Sequence, residues 1–459
     1  MSVFAFIENT GHAPSLLKTS AQYVKEYSLP DGTGPNALLV DDSGTVWISA
    51  SNSGNLLSLD PSRGGITNYK IKDYSEPQNV KGNSTMIWTM VQDLDGYIWF
   101  AELGMKSIWQ LDPKIDTFHV IHSETGAPFQ MKVGKNHDIW FTTLRGDTIG
   151  VVEKSINGNY TVTSFDVGNN TTPAGLYLKD DSIWTANIGT QNILQYKINT
   201  ENDLVKDISL IGTIPKSNVT IFSSPTDLHL DKNSVWLTEH GTSFLTRYDM
   251  DTGKITRYPT SANNFHTVTL PFWIHGTENG KYLWFNEHQG NKIGCFDVKN
   301  KTLVEYSILS VPKDGYLTYP LNLYQDPKDE KIVWFSEWNT DKVGMIDGHI
   351  QIPFNIVPST RNVVLSSNSP DYSIDVDVQG NSENSNPVSL NASSSITSTA
   401  ELGNLTVKFM PNLVDISHDQ KVKVSIHDGG VDPGNYTMGI SATDGYVTKT
   451  EFLELSVVK

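Results

Sequence analysis

The chain has 459 residues, more than one ordinary domain holds and about right for two or three. Its formal net charge is −17, from 51 acidic against 34 basic residues, so a phosphate backbone is repelled and nucleic acid is excluded as a partner. The single cysteine, Cys295, rules out an internal disulfide and a zinc site built on thiolates, while 38% hydrophobic residues supply ample material for packed cores.

The elements follow a repeat. Trp47, Trp99, Trp140, Trp184, Trp236, Trp284 and Trp334 each stand in a short apolar run. At one fixed offset beyond them, a polar residue closes a second run: Asp60, Asp112, Glu153, Lys197, Asp249, Asp297 and Asp347. Upstream of each Trp lies a strand start marked by Pro35, Pro128, Pro173, Pro225, Pro271 or Pro320, with Thr85 in the second repeat. Asp42-Ser43-Gly44, Asp95-Gly96 and Asn279-Gly280 supply hairpin turns between the first and second strands. Helix-period stretches are absent. Units of four short strands recurring every 40–50 residues or so are the signature of a β-propeller, and seven units predict an all-β, seven-bladed ring over residues 22–350. Tyr23–Leu29 is patterned like the fourth-strand segment Leu303–Ile308 and is expected to close blade seven, because an open ring leaves sheet edges unpaired. His349–Ile356 competes for that place.

Beyond about residue 350 the tryptophans stop and Ser, Asn and Val dominate. Ser373–Val378 and Lys421–Ile426 alternate cleanly, as strands with one buried face do. Segment 381–400 reads as a Ser/Asn-rich loop holding a short strand. Gly434–Ile440 followed by a final strand resembles the tyrosine-corner end of an immunoglobulin-like β-sandwich, expected over 351–459.

The blade pattern resembles the streptogramin B lyase (virginiamycin B lyase) family of seven-bladed propellers. Repeat six carries this best, in Leu283-Trp284-Phe285-Asn286-Glu287 and Gly290-Asn291-Lys292-Ile293-Gly294; the Trp-to-Glu runs ending at Glu102, Glu239 and Glu337 agree. The resemblance implies catalysis by histidines directly after the Pro that opens the first strand of the last two blades, helped by a last-blade carboxylate and a magnesium ion. Here Phe272 and Leu321 stand at those places, Asn36 replaces an aromatic of blade one, and Glu337 comes one residue early. No imidazole is positioned as general base there.

First-strand starts and second-strand ends share one face of a propeller, which gathers Glu102, Glu239, His240, Glu287, His288 and Glu337 near Phe272 and Trp273. The glutamates belong to the repeat and suit structural bonds between strands. His240 and His288 hold equivalent places in adjacent blades, with His266 and His275 between them; His240, His288 and Glu287 are the candidates for catalysis or for a metal. Trp88, Trp273 and Trp338 lie outside the marker register, and with Glu102, Glu239, Glu337 and His275 they are candidates for binding a small molecule, a glycan or a protein at an acidic, aromatic mouth. Packing between blades is the competing account. Asp93-Leu94-Asp95-Gly96 is read as a hairpin turn rather than a calcium loop.

No apolar run reaches the roughly 20 residues of a membrane helix, and no signal peptide is read at the start. Sequons at Asn83, Asn159, Asn170, Asn218, Asn300, Asn391, Asn404 and Asn435 favour an extracellular or cell-envelope glycoprotein of a prokaryote, an archaeon among the options. The expectation is a binding or scaffold protein; the alternative is a magnesium-assisted lyase acting on a cyclic peptide or sugar-like substrate.

Overall fold

The computed structural model describes residues 23–71, 86–104, 106–122, 126–144, 146–155, 157–216, 221–262, 266–312, 317–366, 369–380, 386–399 and 401–458. Seven four-stranded antiparallel blades follow one another around a channel. Their first strands are Pro35–Val40, Ile87–Gln92, Ala127–Val133, Pro173–Lys179, Pro225–Leu230, Pro271–Gly276 and Leu323–Asp326. Each packs against the first strand of the next blade, and that of blade seven against that of blade one, so the ring is closed.

The repeat has a physical reason in each marker tryptophan. The indole is buried between blades, and in four of the seven its N–H donates to a carboxylate in the preceding hairpin: Trp47 to Asp41 (2.8 Å), Trp99 to Asp93 (2.7 Å), Trp140 to Asp138 (2.7 Å) and Trp236 to Asp231 (3.0 Å), whereas Trp284 donates to the Glu330 carbonyl (3.2 Å). Three of these carboxylates also hold their turns: Asp41 accepts from the Ser43 and Thr45 N–H groups, Asp93 from those of Asp95 and Tyr97, and Asp231 from those of Asn233 and Ser234. One residue thus shapes the hairpin and satisfies a buried donor. The glycine of the third strand is equally local in origin. A Cβ on Gly150, Gly294 or Gly344 would sit 2.1, 2.4 or 2.0 Å from the ring of Phe141, Phe285 or Phe335 on the second strand.

Val24–Ser28 supplies the outer strand of blade seven, antiparallel to Lys342–Ile346. The competing segment goes elsewhere: Phe354–Pro358 pairs with Val376–Gly380. It opens a four-stranded sheet in the order Phe354–Pro358, Asp371–Gly380, Gln420–Asp428, Leu405–Met410. A second group runs Leu413–Val414, Val388–Ser394, Gly434–Thr443, Val447–Val458, with Asn362–Ser366 parallel to the end of the last strand. The alternating residues Val376, Val378, Val422 and Val424 of the first group, and Leu390, Met438, Ile440 and Leu453 of the second, share one buried core.

These C-terminal strands are not appended loosely. Val447–Glu451 pairs antiparallel with Thr302–Tyr306, the outer strand of blade six, making one nine-stranded sheet. Phe452 enters the core beside Tyr258 and Phe296, with centroids 5.2 and 6.1 Å away. Arg361 pairs with Glu451, which also lies 3.7 Å from Lys449.

Candidate functional site in the central channel

The channel mouth is shaped by a repeated irregularity. In six blades the pairing of first and second strands slips just after the strand start, between Pro35 and Leu38, Ile87 and Met90, Pro128 and Met131, Pro173 and Gly175, Pro225 and Asp227, and Pro271 and Ile274. Such bulges re-aim side chains at a rim. Here they bring together rings from blades two, three and six. Trp88 meets Phe129 and Phe272 at 5.3 and 5.8 Å, Trp273 stacks on Phe129 at 5.6 Å, and Phe272 meets Trp273 edge-on at 4.8 Å. Phe272, Trp273 and Phe129 are buried, so the rings plug the channel rather than pave an open floor.

His240 and His288 join this plug. The His288 ring stacks on Phe272 at 4.4 Å, and His240 meets Phe272 and His288 edge-on at 4.8 and 5.1 Å. His240 Nδ1 lies 3.2 Å from the Pro271 carbonyl oxygen and His288 Nε2 3.4 Å from that of Leu321. Burial draws His240 down to about 4, and burial with His240 alongside draws His288 well below the usual imidazole range. Both rings are therefore neutral at pH 7, and a ring N–H donates to each carbonyl.

The glutamates turn into their own blades. Glu239 accepts from Arg257 Nε at 2.7 Å and from the Ser223 N–H at 2.7 Å. Glu102 accepts from the Gly104 N–H at 3.0 Å. Glu287 is buried with Glu305, which lies 3.6 Å from Lys292, and burial together with the Glu305 charge pushes the Glu287 carboxyl well up. Blade seven repeats this set with Glu337, Glu26 and Lys342: Lys342 Nζ is 2.6 Å from Glu26, and Thr340 donates to Glu337 at 2.7 Å. The structure thus brings His240 and His288 together but leaves Glu287 facing Glu305. A magnesium ion wants a shell of hard oxygen ligands. Two imidazoles bonded to carbonyls around a phenyl ring do not fit one, and among the described residues no group of three or more His, Cys, Asp or Glu is arranged to hold a metal.

Trp338 stands apart from the plug, half-buried on the short turn Trp338–Thr340 after the second strand of blade seven, its backbone N–H donating to the Tyr319 carbonyl at 3.2 Å. His275 lies farther down the channel, 5.9 Å from Tyr324. There a cavity of about 340 Å³ opens below Trp273, lined also by Gln130, Lys132, His275 and Tyr324. Beside it the carboxylate of Asp227 is fully buried and ties three blades together, accepting from Gln130 Nε2 (3.0 Å) and the Leu228 (2.9 Å) and Ile274 (3.0 Å) N–H groups. None of Gln130, Lys132, Asp227 or Tyr324 belongs to a repeat motif. The one signal in the sequence is the alternation of Gln130 and Lys132 with apolar residues in a strand that faces the channel.

Seven four-stranded blades around a plugged channel define a β-propeller. The chain belongs to the virginiamycin B lyase family, whose model matches residues 82–363, the greater part of the ring. Among solved structures it is similar to virginiamycin B lyase from Staphylococcus aureus, at 24% identity and a TM-score of 0.55 over 71% of this chain and 98% of that one. A streptogramin B lyase matches at 24% identity and a TM-score of 0.55, over 70% and 96% of the two chains. A catalytically inactive variant of the staphylococcal enzyme with quinupristin matches at 23% identity and a TM-score of 0.55, over 71% and 98%. These likenesses show the fold. No curated protein matches the chain.

Proposed function

We propose that this chain is a binding or scaffold protein that keeps the family's propeller without its reaction. The observation that carries the reading is Phe272, locked among Trp88, Trp273, His240 and His288 where the family places a histidine. A phenyl ring takes no proton, and the nearby imidazoles already bond to backbone carbonyls. Ligand or partner contact falls to the half-buried rim that carries Trp88, His240 and Trp338.

We read residues 22–350 and 351–459 as two domains, the second an immunoglobulin-like sandwich. Its sheet orders support this, as does Tyr436, whose hydroxyl donates to the Asp432 carbonyl at 2.9 Å in the manner of a tyrosine corner. We place the protein outside the cell or in its envelope. The described sequon asparagines Asn159, Asn170, Asn300, Asn391, Asn404 and Asn435 are all exposed, as glycan attachment requires; Asn83 and Asn218 lie outside the described residues. Among the described residues no helix is long and apolar enough to cross a membrane.

The experiment is incubation of the full chain with quinupristin and magnesium, followed by mass spectrometry and calorimetry. Intact peptide is the expected result. A linearised product would overturn the reading in favour of the metal-assisted lyase, for which the adjacency of His240 and His288 to Phe272 speaks.

A further inference from the structure

The chain is strongly acidic as a whole, yet the cavity below the plug is not. Among the described residues lining it, Lys132 is the one charged side chain, and no carboxylate joins it. The walls are Trp273, Tyr324, Met90, Met131, Leu38 and Leu323, and the space of about 340 Å³ lies at the small end of the roughly 300–1,000 Å³ range of ligand pockets. It opens beside Pro327, an exposed residue of the blade-seven hairpin, on the side of the plug away from the Pro-marked strand starts.

The polar groups around Lys132 are already engaged or neutral. Both ends of the Gln130 amide are used, donating to Asp227 and accepting from the Leu176 N–H. Asp227 is the carboxylate that faces Lys132, but it lies outside the lining and its oxygens already accept three donors. Gln325 donates to the Glu330 carbonyl, and Thr89 to that of Phe129. His229 is drawn down to about 4 and His275 to about 3, each by burial first and then by the Lys132 charge. At pH 7 neither adds charge. Among the described residues the Lys132 ammonium has no ion-pair or hydrogen-bond partner. An ammonium in a half-closed apolar chamber, with three donors unspent, is costly unless an anion visits it.

We propose that this chamber is a second ligand site, distinct from the channel mouth, and that it takes a small organic monoanion. The ligand's carboxylate pairs with Lys132, with the Tyr324 hydroxyl and the His275 ring within the same lining, while an apolar or aromatic body packs against Trp273 and the two methionines. A dianion is disfavoured, because the lining offers one positive charge and Asp227 stands behind it.

The test uses the full chain and three probes of one shape: benzoate, benzyl alcohol and benzamidine, titrated by calorimetry at pH 7. Benzoate is expected to bind at least tenfold more tightly than the other two. Lys132→Met is expected to remove that preference, and Lys132→Arg to restore most of it, with the thermal midpoint and quinupristin behaviour of the protein unchanged. Equal binding of all three probes, absence of benzoate binding, or a preference that survives Lys132→Met would overturn the proposal. Should Lys132→Met fail to fold, Tyr324→Phe replaces it, with a three- to tenfold weakening of benzoate expected and no weakening counting against the site. The mouth reading stands or falls separately, since neither Lys132 nor Tyr324 belongs to it.

Discussion

Replacing Glu337 by glutamine should remove a slope from the pH dependence of stability. Glu337 is fully buried at the end of the second strand of blade seven, and burial, reinforced by the charge of Glu26, pushes its carboxyl up to about 7 from an ordinary value of 4.5. Between those values the folded chain holds a proton that the unfolded chain has released. Stability therefore falls as pH rises: the contribution is whole below pH 4.5 and is lost as pH climbs through 7. A rise from 4.5 to about 7, at 1.36 kcal/mol per tenfold change in proton affinity, amounts to about 3 kcal/mol. Glutamine cannot ionise, so Glu337→Gln should lack this loss. Urea unfolding of both proteins from pH 4.5 to 8 gives the difference directly, and common effects of other groups cancel. The difference should move by about 3 kcal/mol in favour of the variant across that range. A difference that stays constant within about 0.5 kcal/mol would refute the assignment of a buried, protonated carboxyl beside Glu26.

On the acid side the sign reverses. His229 and His240 sit at about 4 and His275 at about 3, so in an overlapping range the unfolded chain takes up their protons first, against the trend set by the buried carboxyls. The stability of the parent relative to His229→Gln should therefore fall as pH drops from 6.5 toward 4 in urea unfolding, and a constant difference would contradict a neutral, buried imidazole. Gly344→Ala forces a methyl into the Phe335 ring and should cost about 1–3 kcal/mol in chemical unfolding, against less than about 1 for Gly65→Ala, whose methyl meets open space. Phe452→Ala should cost about 3–5 kcal/mol and lower a single shared thermal transition, because the ring packs on Tyr258 and Phe296 of the propeller. Two separate transitions in calorimetry would show that the C-terminal strands unfold alone. Deleting residues 1–30 removes the strand paired with Lys342–Ile346 and should give an aggregating protein in size-exclusion chromatography; a monomer with the original midpoint would contradict closure by that strand.

The blades were legible because their signals are local. The Trp, the hairpin Asp and the third-strand Gly act within one unit, so each repeat carries its own instructions. Closure by Val24–Ser28 was legible too, since that segment imitates a fourth strand. The junction with Val447–Glu451 was not. Pairing of backbone edges leaves little trace in side chains, and Thr302–Ser307 reads like any outer strand. At the site, the sequence brought His240 and His288 to one face, but not the carboxyl–carboxyl pairs: whether a glutamate faces the mouth or Glu305 depends on which strand its neighbour occupies. Lys132 showed only as one polar step of an alternating strand, because its meaning lies in what surrounds it, a chamber assembled from five blades.

The closing strand also sets a schedule. Glu26 and Lys342 meet across 316 residues, so at about 5–20 residues per second the first strand waits on the order of 15–60 seconds for its partner to be synthesised. The outer edge of blade six waits as well, until Val447–Glu451 emerges near the end of the chain. During that interval the nascent ring presents two bare strand edges, and either can recruit a neighbouring chain. Yield of the folded protein should therefore respond to translation speed and to chaperones that cover strand edges, more than to any single contact in the finished ring.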